Sequence, residues 1–463
     1  MPRLNLLATP NGRLTAFTLL YVGEGLPQGF ATAAVALELK RMGMGAEALG
    51  VFSASIMAPW AWKWLFGPIV DNVYLRRFGR RSQWIVAAQI GMLVTLGVAL
   101  ALFPTEVTPD GAVVGLGLFT TLLLTHNVFA ACQDVAIDAM AVTVLTDAER
   151  GRANGLMFGG AQLGMAAGGS GVIALKGVFG FSTASLLVPA CLLVLLTMML
   201  RFVAEKALAP AADEVEGRGW RAVGGEVVDY VKTVGRVFFT TRTGFMGLLL
   251  SLLPAGGMAL SLTVSNVITP TLGMTDDEIA ALGFASSVVF AIACVTGGAL
   301  SDRFGRRRTL AIFASGTVLP TLWLAWRFHA AGFLVAPPAG PDGMWPRAEG
   351  LITDWWVGGM VFAVFVGLMY GVRSAFYMDI AEPRIAATQF TASMALLNFV
   401  TMYSYWWQGS ALQPAAEGGW GFTLPQALAT DVGIGLLFLL VLPFVPPRKV
   451  EPAQVVPVGA VAG

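Results

Sequence analysis

Gly298-Ala299-Leu300-Ser301-Asp302-Arg303-Phe304-Gly305-Arg306-Arg307-Arg308 joins two apolar runs, Leu282 to Leu300 and Thr309 to Trp326. Each run is long enough to cross a bilayer. Four arginines in one short turn between two such runs hold that turn on the cytoplasmic side. A related stretch lies roughly half the chain upstream: Gly67-Pro68-Ile69-Val70-Asp71, then, after a short insertion, Gly79-Arg80-Arg81. A charged, glycine-bearing turn repeated at half-chain spacing predicts a duplicated membrane protein. In such a turn glycine admits close helix contact, Asp accepts hydrogen bonds at a helix end, and arginines fix the side. A single copy would read equally well as a plain positive-inside loop. The repeat argues that Gly67, Asp71, Gly79, Arg80 and Arg81, with Gly298, Asp302, Arg303, Gly305, Arg306 and Arg307, act in conformational switching rather than in solute contact.

Composition supports the membrane reading. Of 463 residues 56% are hydrophobic and only 12% charged, about half the charge fraction of a soluble chain. A net charge of +1 gives no basis for a nucleic-acid partner. The charges are segregated. About 22 of the 29 Lys and Arg fall in segments assigned to one side, and about five (Lys40, Arg41, Lys176, Arg327, Arg347) to the other. That asymmetry predicts both termini in the cytoplasm. Cys132, Cys191 and Cys294 lie in apolar runs and read as buried small hydrophobes. With only His126 and His329 as histidines, no metal site or cofactor is expected. No cleaved signal peptide is expected either, so the first span serves as its own insertion signal.

Apolar runs read against turn signals predict twelve spans: 12–39, 46–70, 82–104, 112–140, 153–175, 182–203, 241–271, 279–300, 309–330, 355–381, 385–411 and 430–447. The architecture expected is all-α, with a first six-helix bundle over 1–205, a cytoplasmic linker over 206–240 and a second six-helix bundle over 241–463. Within the linker, 221–238 alternates at helical spacing and fits a helix along the membrane surface. Residues 331–354 read as an external loop, and Gly159, Gly160, Gly164, Gly168 and Gly169 as close-packing positions of the fifth span.

Ionisable groups inside spans are costly and mark function by default. Glu24 lies near mid-bilayer in the first span. The following Gly25-Leu26-Pro27-Gln28-Gly29 should break or kink that helix and free backbone groups for a solute. A simple packing kink, with Glu24 hydrogen-bonded to a neighbour, is the alternative. Lys63, in Trp60-Ala61-Trp62-Lys63-Trp64, could snorkel to the inner surface or pair with an acid or an anionic solute. Asp134 and Asp138 are four residues apart, hence on one helix face. Two carboxylates there cannot both ionise cheaply, which suits a proton site. An ion pair with Lys63 or Arg373 that locks the cytoplasmic side is the other reading. Arg373, in the tenth span, corresponds by half-chain repeat to the fourth and is a candidate for an anionic group of the solute. Gln28 and Gln133 join Lys63 and Arg373 as candidates for solute or charge-pair contact.

Residues 298–307 match Gly-x-x-x-Asp-Arg-x-Gly-Arg-Arg, and the chain therefore resembles the major facilitator superfamily. The copy at 67–81 is similar but carries Asn72 where Arg is usual, plus about five extra residues. The run Ala131-Cys132-Gln133-Asp134-Val135-Ala136-Ile137-Asp138-Ala139, continuing through Val144-Leu145-Thr146-Asp147-Ala148-Glu149-Arg150-Gly151, resembles the AmpG-like peptide, acetyl-CoA and drug transporters. So do Gly25-Leu26-Pro27, Lys63 with Pro68 and Asp71, and Gln162-Leu163-Gly164-Met165. Arg152-Ala153-Asn154-Gly155-Leu156 followed by Gly159-Gly160 is similar to siderophore importers of that group. The resemblance covers mainly residues 20–175. It implies a monomeric, proton-coupled carrier of a bulky polar solute in the bacterial cytoplasmic membrane, importing a muropeptide-like or siderophore-like compound. An acyl-CoA or drug-like solute is the alternative, as is a transporter-shaped sensor or assembly factor without flux. No Ser-His, Cys-His or metal-ligand arrangement speaks for an enzyme, and no Gly-x-x-x-x-Gly-Lys motif supplies nucleotide energy.

Overall fold

The computed structural model describes residues 5–73, 79–108, 113–205, 220–340, 344–380 and 386–445, apart from the side chains of 147, 148, 150, 151, 221 and 386–388. Among the described residues twelve helical segments stand where spans were expected: α1 (10–41), α2 (46–72), α3 (Ser82–Ala101), α4 (Leu116–Val144), α5 (147–179), α6 (Phe181–Phe202), α7 (242–271), α8 (Asp276–Phe304), α9 (Arg306–Ala330), α10 (Glu349–Ile380), α11 (Ala386–Leu412) and α12 (Leu424–Phe444). Three starts differ from the sequence reading by six residues, α5 among them, which begins at 147 rather than 153. α12 starts at Leu424, where Thr423 and Gln426 form a capping box, and α10 already begins at Glu349. The alternating stretch 221–238 is the connecting helix Trp220–Thr240. It lies against α2, where Tyr230 stacks on Trp64 at 5.2 Å and Glu226 accepts from Asn72 at 2.7 Å.

Eight of the twelve are long and apolar enough to cross a membrane, although α5 carries a π-helical turn at Ala167–Gly171 and α6 is interrupted at Leu186. The other four are interrupted or polar. α1 runs through Pro27 as helix and then widens into a π-helical turn, Phe30–Val35. The expected break is thus a change of helical register rather than an unwinding. α2 halts at Trp62 after Pro59 and resumes through a 3₁₀ turn, Lys63–Leu65. α7 is divided into Arg242–Ser251 and Thr263–Thr271, with Pro254, Gly256 and Gly257 between. α11 buries Gln389, Ser393, Ser404, Gln408 and Ser410.

In lipid, helices gain nothing by hiding apolar surface from one another, so small residues that admit backbone contact hold them together. α1 and α5 meet this way: a Cβ on Gly25 would sit 2.0 Å from the Ala161 carbonyl oxygen, and one on Gly168 1.9 Å from that of Leu26. Gly160 and Gly164 belong to the same seam, whereas Gly159 faces open space and is not a packing position. α2 meets α11 with Gly50 against Gly409. Val94, Leu193, Val194, Ile292, Val295 and Leu440 point outward, as side chains solvated by acyl chains must.

Both basic turns place a glycine in the left-handed region, Gly79 at φ 88 and Gly305 at φ 89, which favours glycine over residues with a Cβ. The close helix contact expected at Gly67 and Gly298 is not made by those side positions. Gly67 has open space, a Cβ on Gly298 would lie 3.7 Å from its nearest neighbour, and the tight approach belongs to Gly297 against Leu368. In the first turn Arg80 donates to the Asp71 carboxylate at 3.1 Å, and Arg81 pairs with it at 3.8 Å. In the second, Arg306 pairs with Asp379 at 2.7 Å and with Asp302 at 3.5 Å, while Arg307 donates to the Leu442 carbonyl at 2.7 Å. Arg303 lies over the ring of Phe304.

Candidate functional site

A cluster of four ionisable groups is built from three spans of the first half. Lys63 projects from the 3₁₀ turn of α2 and donates to Asp134 of α4 at 2.7 Å. That turn is anchored on both sides. Trp60 Nε1 donates to Asn127 Oδ1 at 3.0 Å, and the Trp60 carbonyl left free at the break accepts from Asn398 of α11 at 3.1 Å. One helical turn along α4, Asp138 accepts from the Tyr21 hydroxyl of α1 at 2.5 Å. Glu24, one turn along α1 from Tyr21, faces the same cluster beside Asp134, and its Oε2 is buried without a hydrogen-bond partner. Three carboxyls therefore lie near one ammonium, and Asp134 alone bonds it. Taking each ion out of water costs several kcal/mol, and only one of the three acids is neutralised in place.

Among the other sequence candidates, Gln133 is fully buried and neither of its amide atoms has a partner, while Gln28 is half-buried on α1. Arg373 does not join the acids. It lies on α10 with its guanidinium 4.0 Å from the Tyr370 ring centroid, and among the described residues it makes no ion pair. Of the two cations considered for the acidic pair, Lys63 reaches Asp134 and Arg373 does not. Position along a half-chain repeat fixes depth in the membrane but not the direction in which a helical residue points.

A cavity of about 280 Å³ lies between the halves, walled by α1, α5, α7, α8 and α10. Its polar lining is uncharged, with Gln162, Ser170, Ser265, Asn266 and Ser286 the principal groups, beside the aromatic Trp355. Asn266 also donates across to the Thr32 carbonyl of α1 at 3.2 Å. None of Glu24, Lys63, Asp134, Asp138 or Arg373 lines it. Sequence reasoning missed this wall because hydroxyls and amides carry no charge signal. Pro254-Ala255-Gly256-Gly257 inside a span, followed by polar groups at 261, 265, 266 and 269, was the available clue.

On the face opposite the basic turns the two halves are tied by charge. Asp276 of α8 pairs with Arg41 of α1 at 2.6 Å and with Lys176 of α5 at 3.8 Å, and Lys176 also bonds Glu38. Among the described residues every ion pair between the first and last six spans lies here. Asp276→Asn should loosen this seam. Two partly exposed pairs are worth about 1 kcal/mol together, roughly a fivefold change in the ratio of closed to open seam. The rate at which a membrane-impermeant thiol reagent reaches a cysteine at Ser265 from that face should rise accordingly; an unchanged rate would mean that the ion pairs do not hold the seam.

The family described as Acetyl-coenzyme A transporter 1 matches residues 14–168, and that described as Sugar (and other) transporter matches residues 153–340. An uncharacterized protein of Haemophilus influenzae is 23% identical over 405 residues, 83% of this chain and 88% of that one. The anhydromuropeptide permease of Escherichia coli K12 is 27% identical over 157 residues, 34% of this chain and 30% of the permease. The inward open structure of the xylose transporter XylE from Escherichia coli superposes with a TM-score of 0.65 at 14% identity, covering 95% of this chain and 98% of that one.

Proposed function

We propose that this chain, which belongs to the major facilitator superfamily and to its AmpG-like group, is a proton-coupled importer of a bulky polar solute. The observation that carries the coupling is the Asp138 and Glu24 carboxyls, half-buried near an Asp134 already matched by Lys63. A proton taken up there removes a charge from low dielectric, and its release restores one, so occupancy biases the state of the surrounding spans. The solute site is the cavity between the halves. Hydroxyl and amide side chains beside an aromatic ring suit a solute rich in hydroxyls and amides, which favours a muropeptide-like or siderophore-like compound. The muropeptide reading also has the permease as a relative over about a third of the chain. An acyl-CoA is the second reading, suggested by the family matched at residues 14–168. A lining without Lys or Arg speaks against it, because several phosphates need cations.

The basic turns face the cytoplasm in this reading, as do both termini. The protein acts as a monomer in a bacterial cytoplasmic membrane, and residues 206–240 link two six-helix halves. The basic turns then switch conformation: Arg306, bridging Asp379 and Asp302, ties α8 to α10 on the cytoplasmic face. Asp379→Asn should slow uptake severalfold while leaving equilibrium solute binding within a factor of about ten, or 1.4 kcal/mol. A larger loss of binding would move Asp379 from switching to the solute.

Purified protein in liposomes, with an acid exterior imposed, tests the proposal against a panel of an anhydro-muropeptide, a ferric siderophore and acetyl-CoA. Accumulation of either of the first two that collapses with a protonophore is expected. Uptake of acetyl-CoA alone would select the second reading, and absence of flux for all three would point to a sensor or assembly factor.

A further inference from the structure

The break in α7 is held by side chains from three other spans. The Leu252 carbonyl accepts from Tyr403 of α11 at 2.9 Å, and the Gly257 N–H donates to Thr317 of α9 at 2.8 Å. Asp431 of α12 takes the next two N–H groups on one oxygen, Met258 at 2.7 Å and Ala259 at 3.0 Å. Its other oxygen accepts from Gln408 Nε2 of α11 at 3.2 Å, and Gln408 Oε1 in turn accepts from the Val264 N–H at 3.2 Å, where the helix resumes. Asp431 is 3% exposed and Gln408 0%. Among the described residues Asp431 has no cation partner; its ion pairing is replaced by N–H donors. Gly256, at φ 78, and Gly435 bring α12 close enough for this, since a Cβ on Gly435 would lie 2.2 Å from the Gly256 carbonyl oxygen.

The two ends of this clamp bracket a short piece of chain. Asp431 grips residues 258 and 259, Gln408 grips 264, and the residues that follow at once, Ser265, Asn266 and Thr269, form a wall of the cavity. A carboxylate buried without a cation is costly, and a neutral acceptor would satisfy the two N–H groups. What the acid adds is acceptance on both oxygens at once, which leaves Gln408 a single orientation and so fixes its grip on the second half-helix.

We propose that Asp431, acting through Gln408, is a positioning residue for the solute: it sets the height and rotation of the second half of α7 and thereby the polar wall of the cavity. Asp431→Asn breaks the clamp in a defined way. One Asn oxygen still serves Met258 and Ala259, but its amide nitrogen then meets Gln408 Nε2, donor against donor. If Gln408 turns over to accept, it presents nitrogen to the Val264 N–H instead. The double variant Asp431→Asn with Gln408→Glu repairs every bond. The Glu accepts from Val264 on one oxygen and from the Asn amide on the other, with the charge moved from α12 to α11.

The test does not require the solute. In a cysteine-free background, Ser265→Cys on α7 and Ser286→Cys on α8 are labelled with a small thiol reagent. Asp431→Asn should change the rate at position 265 by about fivefold, the population change expected from stranding one buried donor, and leave position 286 within about twofold. The double variant should return position 265 to the parent rate. An unchanged rate at 265 in the single variant, or no recovery in the double, overturns the proposal. If Asp431→Asn fails to fold, the double variant must still fold and label like the parent; its failure also overturns the proposal. The transport arm rests on the cavity being the solute site. For whichever solute of the panel moves, Asp431→Asn should raise the apparent KM with little change in maximal rate, and the double variant should restore it. Parent-like KM alongside altered labelling would show that α7 is positioned as inferred while the solute binds elsewhere.

Discussion

Asp134→Leu should lower the stability of the folded protein by about 3–5 kcal/mol, and adding Lys63→Met should recover most of that loss. Lys63 reaches Asp134 from a helix break that has no other carboxylate in bonding distance among the described residues. With Leu in place of the acid, an ammonium remains in a site walled by protein, its counter-charge gone and its hydrogen bond unmade. The uncompensated charge, rather than the lost attraction, makes the single variant severe. A Met–Leu pair of similar volume removes both charges and leaves apolar contact, which is why paired replacement of buried ions is often neutral or stabilising. Heating the purified protein in detergent and following the monodisperse fraction measures both variants. Equal stability of Asp134→Leu and parent would mean that the pair does not hold α2 to α4; a double variant no better than the single would mean that the damage is steric.

Much of the fold is legible in the residues because bilayer thickness sets a length and the turns are marked. All twelve spans follow from apolar runs and punctuation, and they stand within a turn or two of where they were expected. The acidic cluster is legible in part. Asp134 and Asp138 share a face by spacing alone, and Lys63 and Glu24 stand out because ionisable groups are rare inside spans. Tyr21 closes the cluster without standing out, since a tyrosine on an apolar helix carries no charge signal. Arg373 shows the limit of symmetry arguments: adjacent helical positions point about 100° apart, so the right depth says nothing of the partner. Asp431 shows a different limit. It lies in the last span, where expected boundaries began at residue 430, and its partners at 258, 259 and 408 are distant in sequence. No local pattern announces that a carboxylate caps a broken helix more than 170 residues upstream.

Asp138→Asn should abolish accumulation driven by a pH gradient and spare exchange of solute down its own gradient. Asp134 has its cation, so its charge is matched as long as Lys63 stays in place. Asp138 has a hydroxyl donor but no cation within salt-bridge distance among the described residues, and Glu24 has a buried oxygen with no partner at all. A carboxyl inside a span without a paired cation is costly to keep charged, so binding and releasing a proton there can be linked to the opening and closing of the site. Asn keeps the size and can still accept from Tyr21, so the helices should pack as before, but the side chain is permanently neutral. The carrier can then reorient with or without solute and no longer senses the gradient. For one proton per solute, one pH unit is worth about 1.4 kcal/mol, a tenfold accumulation; in the variant the ratio of inside to outside should fall to about one. Counterflow of labelled solute into liposomes preloaded with unlabelled solute should persist at a rate near the parent's. Glu24→Gln and Asp134→Asn, measured in the same way, divide the cluster. Loss of coupling in Glu24→Gln with retention in Asp138→Asn would transfer the proton to Glu24. Tenfold accumulation retained in all three would make the acids structural and leave the coupling to be sought outside the first half.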